Sequence, residues 1–354
     1  MAVDTKLTTV QNGVLGVREA IKDVDPTLAE GSITTLGNDI RTLNDRKYVY
    51  KWVNNDGTYS LDRDINNTSV LSGTSYRYNT NLIAVVLPEN IKTLSAQFLN
   101  DSNLQFINLD NITSITVSNC FQGCSSLSSI VELSKLEDKI PSTTFRASGL
   151  TSFKCSAPIT TIDGSAFREC PNLETVELPQ TLTSLSNYVF YRCRKLKSIS
   201  GLENVTSIDL YCFYECNNLS IELNLPNLTT LIGSAQFSGT GITKVLNLGS
   251  ITSTPDGGMY TGLVANCESL TEITFPSTIT KIGQYTCYGC SALETVKCLA
   301  TSVPELGSNV FSHTNSTFKI YVPYGTSAAY KEATNWINYA SQIYELDVNG
   351  NIPS

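Results

Sequence analysis

The sequence has little of what several common functions require. Only one of its 354 residues is a histidine, and 16% are charged, well below the roughly 25% of average globular proteins. Catalysis or metal binding by several histidines is therefore disfavoured. Asp and Glu (32) outnumber Lys and Arg (24), giving a net charge of -8. Nucleic-acid-binding domains are usually basic, so we expect no nucleic-acid partner.

Long apolar stretches and glycine-rich phosphate loops are missing too. No stretch approaches the roughly 18 apolar residues of a membrane helix, so we expect no membrane insertion. Residues 1–22 lack a basic region followed by an apolar run, so we expect no secretory signal. Without a phosphate loop or a histidine cluster, we expect no cofactor. The hydrophobic fraction of 41% still supports a substantial core.

The sequence does contain a repeat with a period of 23 residues. From Leu104 to Ile242 an apolar residue recurs at equal steps, and related starts lie on both sides at slightly different spacings. The starts are Leu82, Leu104, Leu127, Leu150, Leu173, Leu196, Leu219, Ile242, Leu270, Leu293 and Phe318. One unit cannot bury its apolar faces alone, so the repeat predicts a solenoid in which neighbouring units stack.

Each unit has the same internal pattern. Three residues after the start, an apolar residue such as Val176 lies in a short alternating segment that predicts a strand. An apolar pair such as Leu182 and Leu185 closes the return path, and a phenylalanine such as Phe190 follows on a predicted short helical turn. These positions form the predicted core.

Two units depart from the pattern. In the unit that begins at Leu219, Glu222 occupies the usual apolar strand position, so Ile221 or Leu223 must substitute for it. The unit that begins at Ile242 is longer and carries an extra loop around residues 255–259.

The eleven cysteines fit the repeat better than they fit disulfides or a metal site. Six precede the next start by three residues: Cys124, Cys170, Cys193, Cys216, Cys267 and Cys290. Ala147 takes this slot in another unit, which indicates a small buried side chain. Pairs with zinc- or redox-type spacing also occur: Cys120 and Cys124, Cys212 and Cys216, and Cys287 and Cys290. One member of each pair occupies the core slot, so we expect buried thiols and no metal.

The pattern Leu-x-x-Val-x-Leu-Pro, Leu-x-x-Leu and Phe-x-x-Cys-x-x-Leu resembles the BspA-like leucine-rich repeats of bacterial surface proteins. The resemblance covers residues 82–316, and residues 320–325, Tyr330, Trp336 and 339–345 are similar to the C-terminal capping segment of that family. It implies an α/β leucine-rich-repeat solenoid of about ten repeats, with short parallel strands and short helical turns.

The N-terminal part differs in character. Two sets of apolar residues have helical spacing: Val10, Val14, Val17 and Ile21, and then Ile33, Leu36, Ile40 and Leu43. Pro26 and Gly31 separate them, which predicts two helices. Residues 1–7 and the first of these helices resemble the openings of tail proteins from phages of gut bacteria.

A hairpin pattern follows, with residues 48–53 and 58–61 on either side of an Asn-Asn-Asp-Gly turn. The predicted domains are a helical attachment or oligomerisation segment over 1–47, a hairpin cap over 48–81, the solenoid over 82–317 and a C-terminal capping segment over 318–354.

The outward positions of the predicted strands are the candidate binding residues. They lie two and four residues after the start, on the expected concave face: Ser152, Lys154, Thr175, Glu177, Ser198, Ser200, Glu272, Thr274, Thr295 and Lys297. Repeat proteins use such extended surfaces for binding, although an ordinary solvated strand face has the same pattern. The insertion near Gly257, with Tyr260, is placed to extend this surface.

Signals for catalysis are weak. The single His313 lies in a polar loop after the last repeat, and the carboxylates are scattered without a recurring acid pair. We therefore predict no enzyme activity, no catalytic residue and no metal site.

The sequence thus predicts a leucine-rich-repeat protein for binding or adhesion. The phage-like N-terminus and the missing secretory signal favour a virion fibre or receptor-binding component. Its residues 1–45 would contact other virion proteins or another copy of the chain, and its solenoid a protein or glycan on a bacterial surface. The alternative is a BspA-like adhesin on the bacterial cell surface, and an enzyme with a scattered carboxylate site is a distant third.

Overall fold

The computed structural model describes residues 49–53, 59–62, 70–73, 76–79, 82–87, 90–128 and 131–353. These residues belong to two compact units, of which one ends at Ala157 and the other begins at Pro158. The two helices predicted within residues 1–47, the turn at 54–57 and the apolar residue Ile130 lie outside the described residues.

The first unit consists of short, mostly parallel strands. They are β1 (Val49–Val53), β2 (Tyr59–Asp62), β3 (Val70–Gly73), β4 (Leu82–Val86), β5 (Thr93–Ala96), β6 (Phe106–Ile107), β7 (Ser114–Ile115), β8 (Val131–Leu133) and β9 (Ser152–Cys155). β1 pairs antiparallel with β2, as the hairpin pattern predicts, and also with β4. β4 pairs parallel with β6, β3 with β5, β5 with β7, and β8 with β9.

The second unit repeats the arrangement with longer sheets. Its strands are β10 (Thr161–Ile162), β11 (Thr175–Glu177), β12 (Ser184–Leu185), β13 (Ser198–Ser200), β14 (Ser207–Ile208), β15 (Glu222–Asn224), β16 (Thr230–Leu231), β17 (Lys244–Asn247), β18 (Glu272–Phe275), β19 (Lys281–Ile282), β20 (Thr295–Cys298), β21 (Glu305–Leu306), β22 (Lys319–Val322) and β23 (Ile343–Glu345). Helix α1 (Ser327–Glu332) and a 3-10 helix (Trp336–Gln342) lie between the last two strands.

Most coils of the second unit supply a strand to each of two parallel sheets, while the 28-residue coil contributes only an isolated bridge, from Ser253 to Lys281, on its return path. We call the sheets formed by the opening strands of the coils the first sheets. In one of them β11 pairs with β13, and in the other the strand order is β15, β17, β18, β20, β22 and β23. We call the sheets formed by the strands of the return path the second sheets. In one of them the strand order is β10, β12, β14 and β16, and in the other β19 pairs with β21. The predicted solenoid of short parallel strands is confirmed. The second sheets are a feature that the sequence did not reveal, because only an apolar pair, and no strand, was assigned to the return path.

Strand pairing confirms the period of 23 residues and corrects it in three coils. Thr175 lies opposite Ser198, at the expected offset. Leu223 lies opposite Val245 and is buried, so Leu223 rather than Ile221 replaces Glu222 in the core. Val131, not Ile130, lies opposite Phe153. Ile320 lies opposite Val296, so the last coil begins one residue before Phe318.

Stacked phenylalanine rings fill the core behind the strands. In the second unit Phe167, Phe190, Phe213 and Phe237 stack with centroid distances of 5.4, 5.3 and 5.2 Å. Phe98, Phe121 and Phe145 form the same ladder in the first unit, at 5.4 Å spacings. All seven rings are fully buried. Because successive rings contact one another, each ladder ties the coils that contribute to it to their neighbours.

The phenylalanine segments are hydrogen-bonded turns rather than the predicted helical turns. Around Phe167, the residues two before and two after, Ser165 and Glu169, have φ of 62° and 60°. These two residues with positive φ stand at either end of the turn, and alternate N–H groups of the segment point toward the next coil. The N–H groups of Ser165, Phe167 and Glu169 donate to carbonyls 22 residues later, at 2.7 to 3.0 Å. A helix would have directed these donors within its own segment instead.

The C-terminal segment packs against the preceding coils through two aromatic residues. Tyr330 and Trp336 are fully buried, with ring centroids 5.0 Å apart. The Tyr330 hydroxyl donates to the Ala300 carbonyl at 2.7 Å, and the Trp336 indole N–H donates to the Pro304 carbonyl at 2.8 Å. No helix among the described residues combines the length and hydropathy of a transmembrane span.

Asp101 is the only charged side chain that is fully buried among the described residues. Burial raises the pKa of its carboxyl group to about 7, although the backbone N–H of Asn79, 2.6 Å from Oδ1, favours the ionised form. The folded state therefore holds the proton more tightly than the unfolded state, where aspartate has a pKa of about 3.9. Stability contributed by the protonated group is present below about pH 4 and lost as the pH rises toward 7.

We therefore expect the free energy of unfolding of the wild type to fall between pH 4 and pH 8 relative to that of Asp101→Asn. The relative loss should exceed about 1.4 kcal/mol, the equivalent of one pKa unit. Urea denaturation of both proteins at the two pH values measures it. If the free energies of unfolding of the two proteins differ by the same amount at pH 4 and pH 8, Asp101 is not the group that causes the pH dependence.

Candidate functional site

Alternation of buried and exposed residues on most first-sheet strands of the second unit separates core from surface, although β22 has three consecutive buried residues. On β11, Val176 is buried between the exposed Thr175 and Glu177, and on β18 and β20 the inward residues are fully covered. We call the exposed side of β11, β13, β15, β17, β18, β20 and β22 the outward face. It is polar because only the inward residues of a strand with one buried side must be apolar.

The register brings the candidate residues of the second unit together in two groups. Thr175 lies beside Ser198, and Glu177 beside Ser200, on β11 and β13. Glu272 lies beside Thr295, and Thr274 beside Lys297, on β18 and β20. The remaining two candidates, Ser152 and Lys154, are on β9 of the first unit, where Glu132 of β8 lies opposite Lys154.

The outward face also contains residues that the sequence analysis missed. Glu222 and Lys244 lie side by side on β15 and β17. The exposed Lys319 of β22 continues the row beside Thr295 of β20, while Tyr321, beside Lys297, is largely buried. A fixed offset from each start fails at β15 and β22, whose coils are shifted in register, although Lys244 of β17 does lie two residues after its start, Ile242. The signal that could have found them is the polar-apolar alternation within each strand.

Charges on the outward face neutralise one another across neighbouring strands. Lys297 Nζ lies 2.7 Å from Glu272 Oε1, and Lys244 Nζ lies 2.8 Å from Glu222 Oε1. The hydrogen bond to Glu222 raises the pKa of Lys244 above its ordinary value. Such exposed pairs add little stability. Their effect is a nearly neutral surface of hydroxyl and paired charged groups, which suits directional hydrogen bonding to a partner.

The turn side of the second unit carries a second feature, an array of half-exposed tyrosines. Tyr188 stacks on Tyr211 at 5.2 Å, and Tyr191 stacks on Tyr214 at 5.3 Å. The Arg168 guanidinium lies over the Tyr191 ring at 4.8 Å. These tyrosines occupy positions next to the buried phenylalanines, so the same stacking that orders the core orders the surface.

The insertion in the 28-residue coil lies beside this array. Its Tyr260 is 62% exposed, while Asp256 forms an ion pair with Lys281 at 2.7 Å. The Asp256 carboxylate also accepts from the Gln284 N–H at 2.9 Å, and these two bonds lower its pKa. The insertion is thus held against the following coil.

Six copies of the BspA type leucine rich repeat region match residues 64–138, 138–257 and 259–352. The match spans more than half of the chain and includes the coils, the turns and the C-terminal segment described above. The chain belongs to the BspA-type leucine-rich-repeat family.

Solved structures of leucine-rich repeat proteins also match this chain. One from Bacteroides ovatus is 17% identical over 85% of this chain and 98% of that chain, with a TM-score of 0.38. One from T. pallidum is 16% identical over 60% and 86%, with a TM-score of 0.33. A leucine rich cell surface protein from Faecalibacterium prausnitzii is 18% identical over 82% and 95%, with a TM-score of 0.26. Among curated proteins, none matches.

The cysteines fill core slots of the BspA-type repeat. All eleven are buried and free. In the recurring slot the thiol donates to the phenylalanine carbonyl of the preceding coil, as from Cys193 Sγ to Phe167 at 3.0 Å. Cys287 takes the phenylalanine position of its own coil. Its backbone N–H donates to the Val310 carbonyl at 3.0 Å, just as the Phe167 N–H donates to the Val189 carbonyl. The zinc-type spacing of Cys287 and Cys290 therefore reflects two core slots.

Ala147 does not occupy the cysteine slot of its BspA-type repeat, contrary to the prediction. Ser148 is fully buried there, and Ala147 is half-buried with φ of 54°. The coil is one residue shorter between Phe145 and Leu150, because Gly149 runs so close to the preceding coil that a Cβ would lie 2.1 Å from the Ser125 carbonyl oxygen. Counting three residues back from Leu150 therefore placed Ala147, instead of Ser148, in the cysteine slot.

His313 is exposed in the turn of its repeat, with its ring 4.9 Å from Tyr288. It has φ of 60° at the left-handed position that follows Phe311. In the part of the chain that the structure describes, no three His, Cys, Asp or Glu side chains form a group able to hold a metal ion.

The thiols are expected to be unreactive in the folded protein. Burial raises the pKa of Cys193 well above its ordinary value and that of Cys267 to about 11, so neither forms a thiolate near neutral pH. Labelling with a thiol reagent should be complete only in denaturant. Cys193→Ser should cost less than about 1 kcal/mol, because its hydroxyl can donate to the same Phe167 carbonyl. Fast labelling of the native protein, or stoichiometric zinc in it, would contradict this.

Proposed function

We propose that the chain is a non-enzymatic binding protein that attaches to a partner through the outward face of its repeats. The observation that supports this most is the in-register alignment of hydroxyl and charged side chains on β11 and β13 and on β18 and β20. These side chains stand on strands whose inner residues are locked in the core. A rigid polar surface loses little conformational entropy on binding.

The partner we propose is a protein on another cell. Repeats of this family form protein-interaction scaffolds, and their extended faces are larger than small-molecule sites. The outward face has both hydrogen-bond donors and acceptors and little net charge, which fits a protein surface better than a polyanion. Ser152 and Lys154 of the first unit are proposed as further contact residues.

We propose the bacterial cell surface as the location, in preference to the virion. The family match supports this choice, because the BspA-like repeat pattern resembles that of bacterial surface proteins. The virion hypothesis depended on the first forty residues, which lie outside both the described residues and the family match. The proposed division of labour keeps residues 1–47 for attachment, 48–81 and 318–354 as caps and 82–317 for binding.

Beads coated with the full chain test the binding surface. We expect them to attach to bacterial or epithelial cells and to lose attachment after protease treatment of those cells. Ser198→Arg with Ser200→Arg places two long cations on the outward face and should weaken attachment at least about tenfold, which corresponds to 1.4 kcal/mol. Both serines are exposed, so the melting curve of the variant should match that of the wild type.

Thr230→Arg with Ser253→Arg is the matched control, since both residues are exposed on the opposite side of the coils, by the second sheets. It should leave attachment unchanged. Equal loss in both variants, or attachment that survives the Ser198 and Ser200 changes, would overturn the proposed surface. For the location, a membrane-impermeant label should modify the protein on intact cells that produce it. Labelling only after lysis would overturn the surface assignment.

A further inference from the structure

A polar cleft of about 450 Å³ opens on the turn side of the second unit, away from the outward face. Three successive coils line it. Tyr214 and Asn217 come from the first coil, Gly239 and Gly241 from the second, and Tyr260 and Glu268 from the insertion and the third. Its volume lies within the roughly 300–1,000 Å³ of small-ligand pockets rather than on the scale of a protein interface.

The cleft exists because the middle coil has small residues where its neighbours have large ones. Ser238 stands at the position that Tyr214 and Tyr191 occupy in the two preceding coils. Gly241 draws the backbone inward, and a Cβ there would lie 2.6 Å from the Asn217 carbonyl oxygen. A notch one coil wide remains between two larger coils.

The notch leaves the Tyr214 ring without a stacked ring from the next coil, although Tyr211 of its own coil meets it edge-on at 5.3 Å. Tyr214 stacks on Tyr191 with an interplanar angle of 12°, so one of its faces is covered. The stack ends there, because the next coil supplies Ser238 and not a third ring. The Ser238 hydroxyl donates to the carbonyls of Tyr260 and Ala265 at 2.8 and 2.9 Å, which fixes the insertion at the edge of the cleft.

The other groups around the cleft are hydrogen-bonding and not cationic. None of its lining residues is Lys or Arg. Asn217 donates from Nδ2 to the Gly239 carbonyl at 2.9 Å, which directs its side chain across the cleft floor. In the described part of the chain the Glu268 carboxylate and the exposed Tyr260 hydroxyl have no hydrogen-bond partner. Of its two carboxylates, Glu215 is already paired with Arg192 and Arg194 at 3.1 and 2.6 Å, and Glu268 forms no ion pair among the described residues. An anionic ligand would therefore meet the Glu268 charge and find no lining cation to pair with.

We propose that this cleft binds a neutral saccharide, with one sugar ring stacked on the open face of Tyr214. The C–H groups on the face of a sugar ring carry partial positive charge and are attracted to the negative face of an aromatic ring. The hydroxyl groups around its edge match the acceptors and donors of Asn217, Glu268 and Tyr260. An aromatic peptide side chain would fill the stack equally well but would leave those polar groups without partners.

Saturation-transfer NMR on the full chain tests this with soluble neutral hexasaccharides of glucose, mannose, galactose, xylose and N-acetylglucosamine. We expect transfer to the ring C–H protons of at least one of them. Tyr214→Ala should raise its Kd at least about tenfold. Tyr260→Ala, in the exposed insertion, should also weaken binding and provides a second variant if the first is poorly folded. Tyr188→Ala is the matched control, because it removes a half-exposed tyrosine of the same array that does not line the cleft.

Binding that is lost in both cleft variants and retained in the control would establish the site. Absence of transfer to every hexasaccharide would overturn the proposal, and so would binding that both cleft variants keep. Binding of N-acetyl-tyrosinamide without binding of any saccharide would overturn it in favour of a peptide side chain. The cleft shares no residue with the outward face, so attachment of coated beads is expected to survive Tyr214→Ala.

Discussion

Phe190→Ala is expected to lower the free energy of unfolding by about 3–5 kcal/mol, the range for a buried phenylalanine in a tightly packed core. Phe190 is fully buried and stacks on Phe167 and Phe213 at 5.4 and 5.3 Å. Its loss removes two ring contacts at once and opens a cavity in the middle of the ladder. Because each coil is stabilised only by its neighbours, the defect weakens the coils on both sides.

Chemical denaturation of the full chain measures the effect. Phe190→Leu is the matched control, since it keeps much of the volume while it removes the aromatic stack, and it should cost less than half as much. A loss below about 1 kcal/mol for Phe190→Ala would contradict the role of the ladder in joining the coils.

Gly262→Ala is expected to destabilise the second unit by about 3 kcal/mol, at the upper end for overpacking by a single methyl group. A Cβ on Gly262 would lie 1.8 Å from the carbonyl oxygen of Tyr285 in the next coil. This neighbour is backbone and cannot rotate away, so the two coils would have to separate. Thermal unfolding followed by circular dichroism measures the change.

Gly258 provides the control for this prediction. It lies in the same insertion, and a Cβ there would be 3.4 Å from Thr261 Oγ1, an ordinary contact distance. Gly258→Ala should therefore change stability by less than about 0.5 kcal/mol. Equal stability of the Gly262→Ala and Gly258→Ala variants would contradict the claim that close approach of the coils requires glycine at position 262.

The coil period and the core could be predicted because each coil places the same residue types in the same slots. Leu173, Val176, Phe190 and Cys193 all proved to be buried, as their recurrence indicates. The second sheets could not be predicted in this way. A strand such as β10 has only two residues, and alternation over two residues cannot be distinguished from irregular chain.

Register shifts and shortened coils explain most of the remaining errors. A single extra residue places Leu223 opposite Val245, and a single missing one places Ser148 rather than Ala147 in the cysteine slot. The shortened coil follows from the close approach of Gly149 to the preceding backbone, which a count of residues does not contain. The ten candidate residues were found by the two-residue period of strands. The cleft is lined by residues of different coils, such as Tyr214 and Tyr260, which the repeat pattern does not bring together.

Carboxyl footprinting tests most directly whether the outward face makes the binding contacts. The full chain, free or attached to cells, is modified with a water-soluble carbodiimide and an amine, and the labelled sites are located by mass spectrometry. Glu177 and Glu222 lie on the outward face, while Glu305 and Glu332 are exposed elsewhere in the second unit. We expect attachment to protect Glu177 and Glu222 and to leave Glu305 and Glu332 unchanged. Protection of Glu305 or Glu332, with Glu177 and Glu222 still fully labelled, would contradict binding through the outward face.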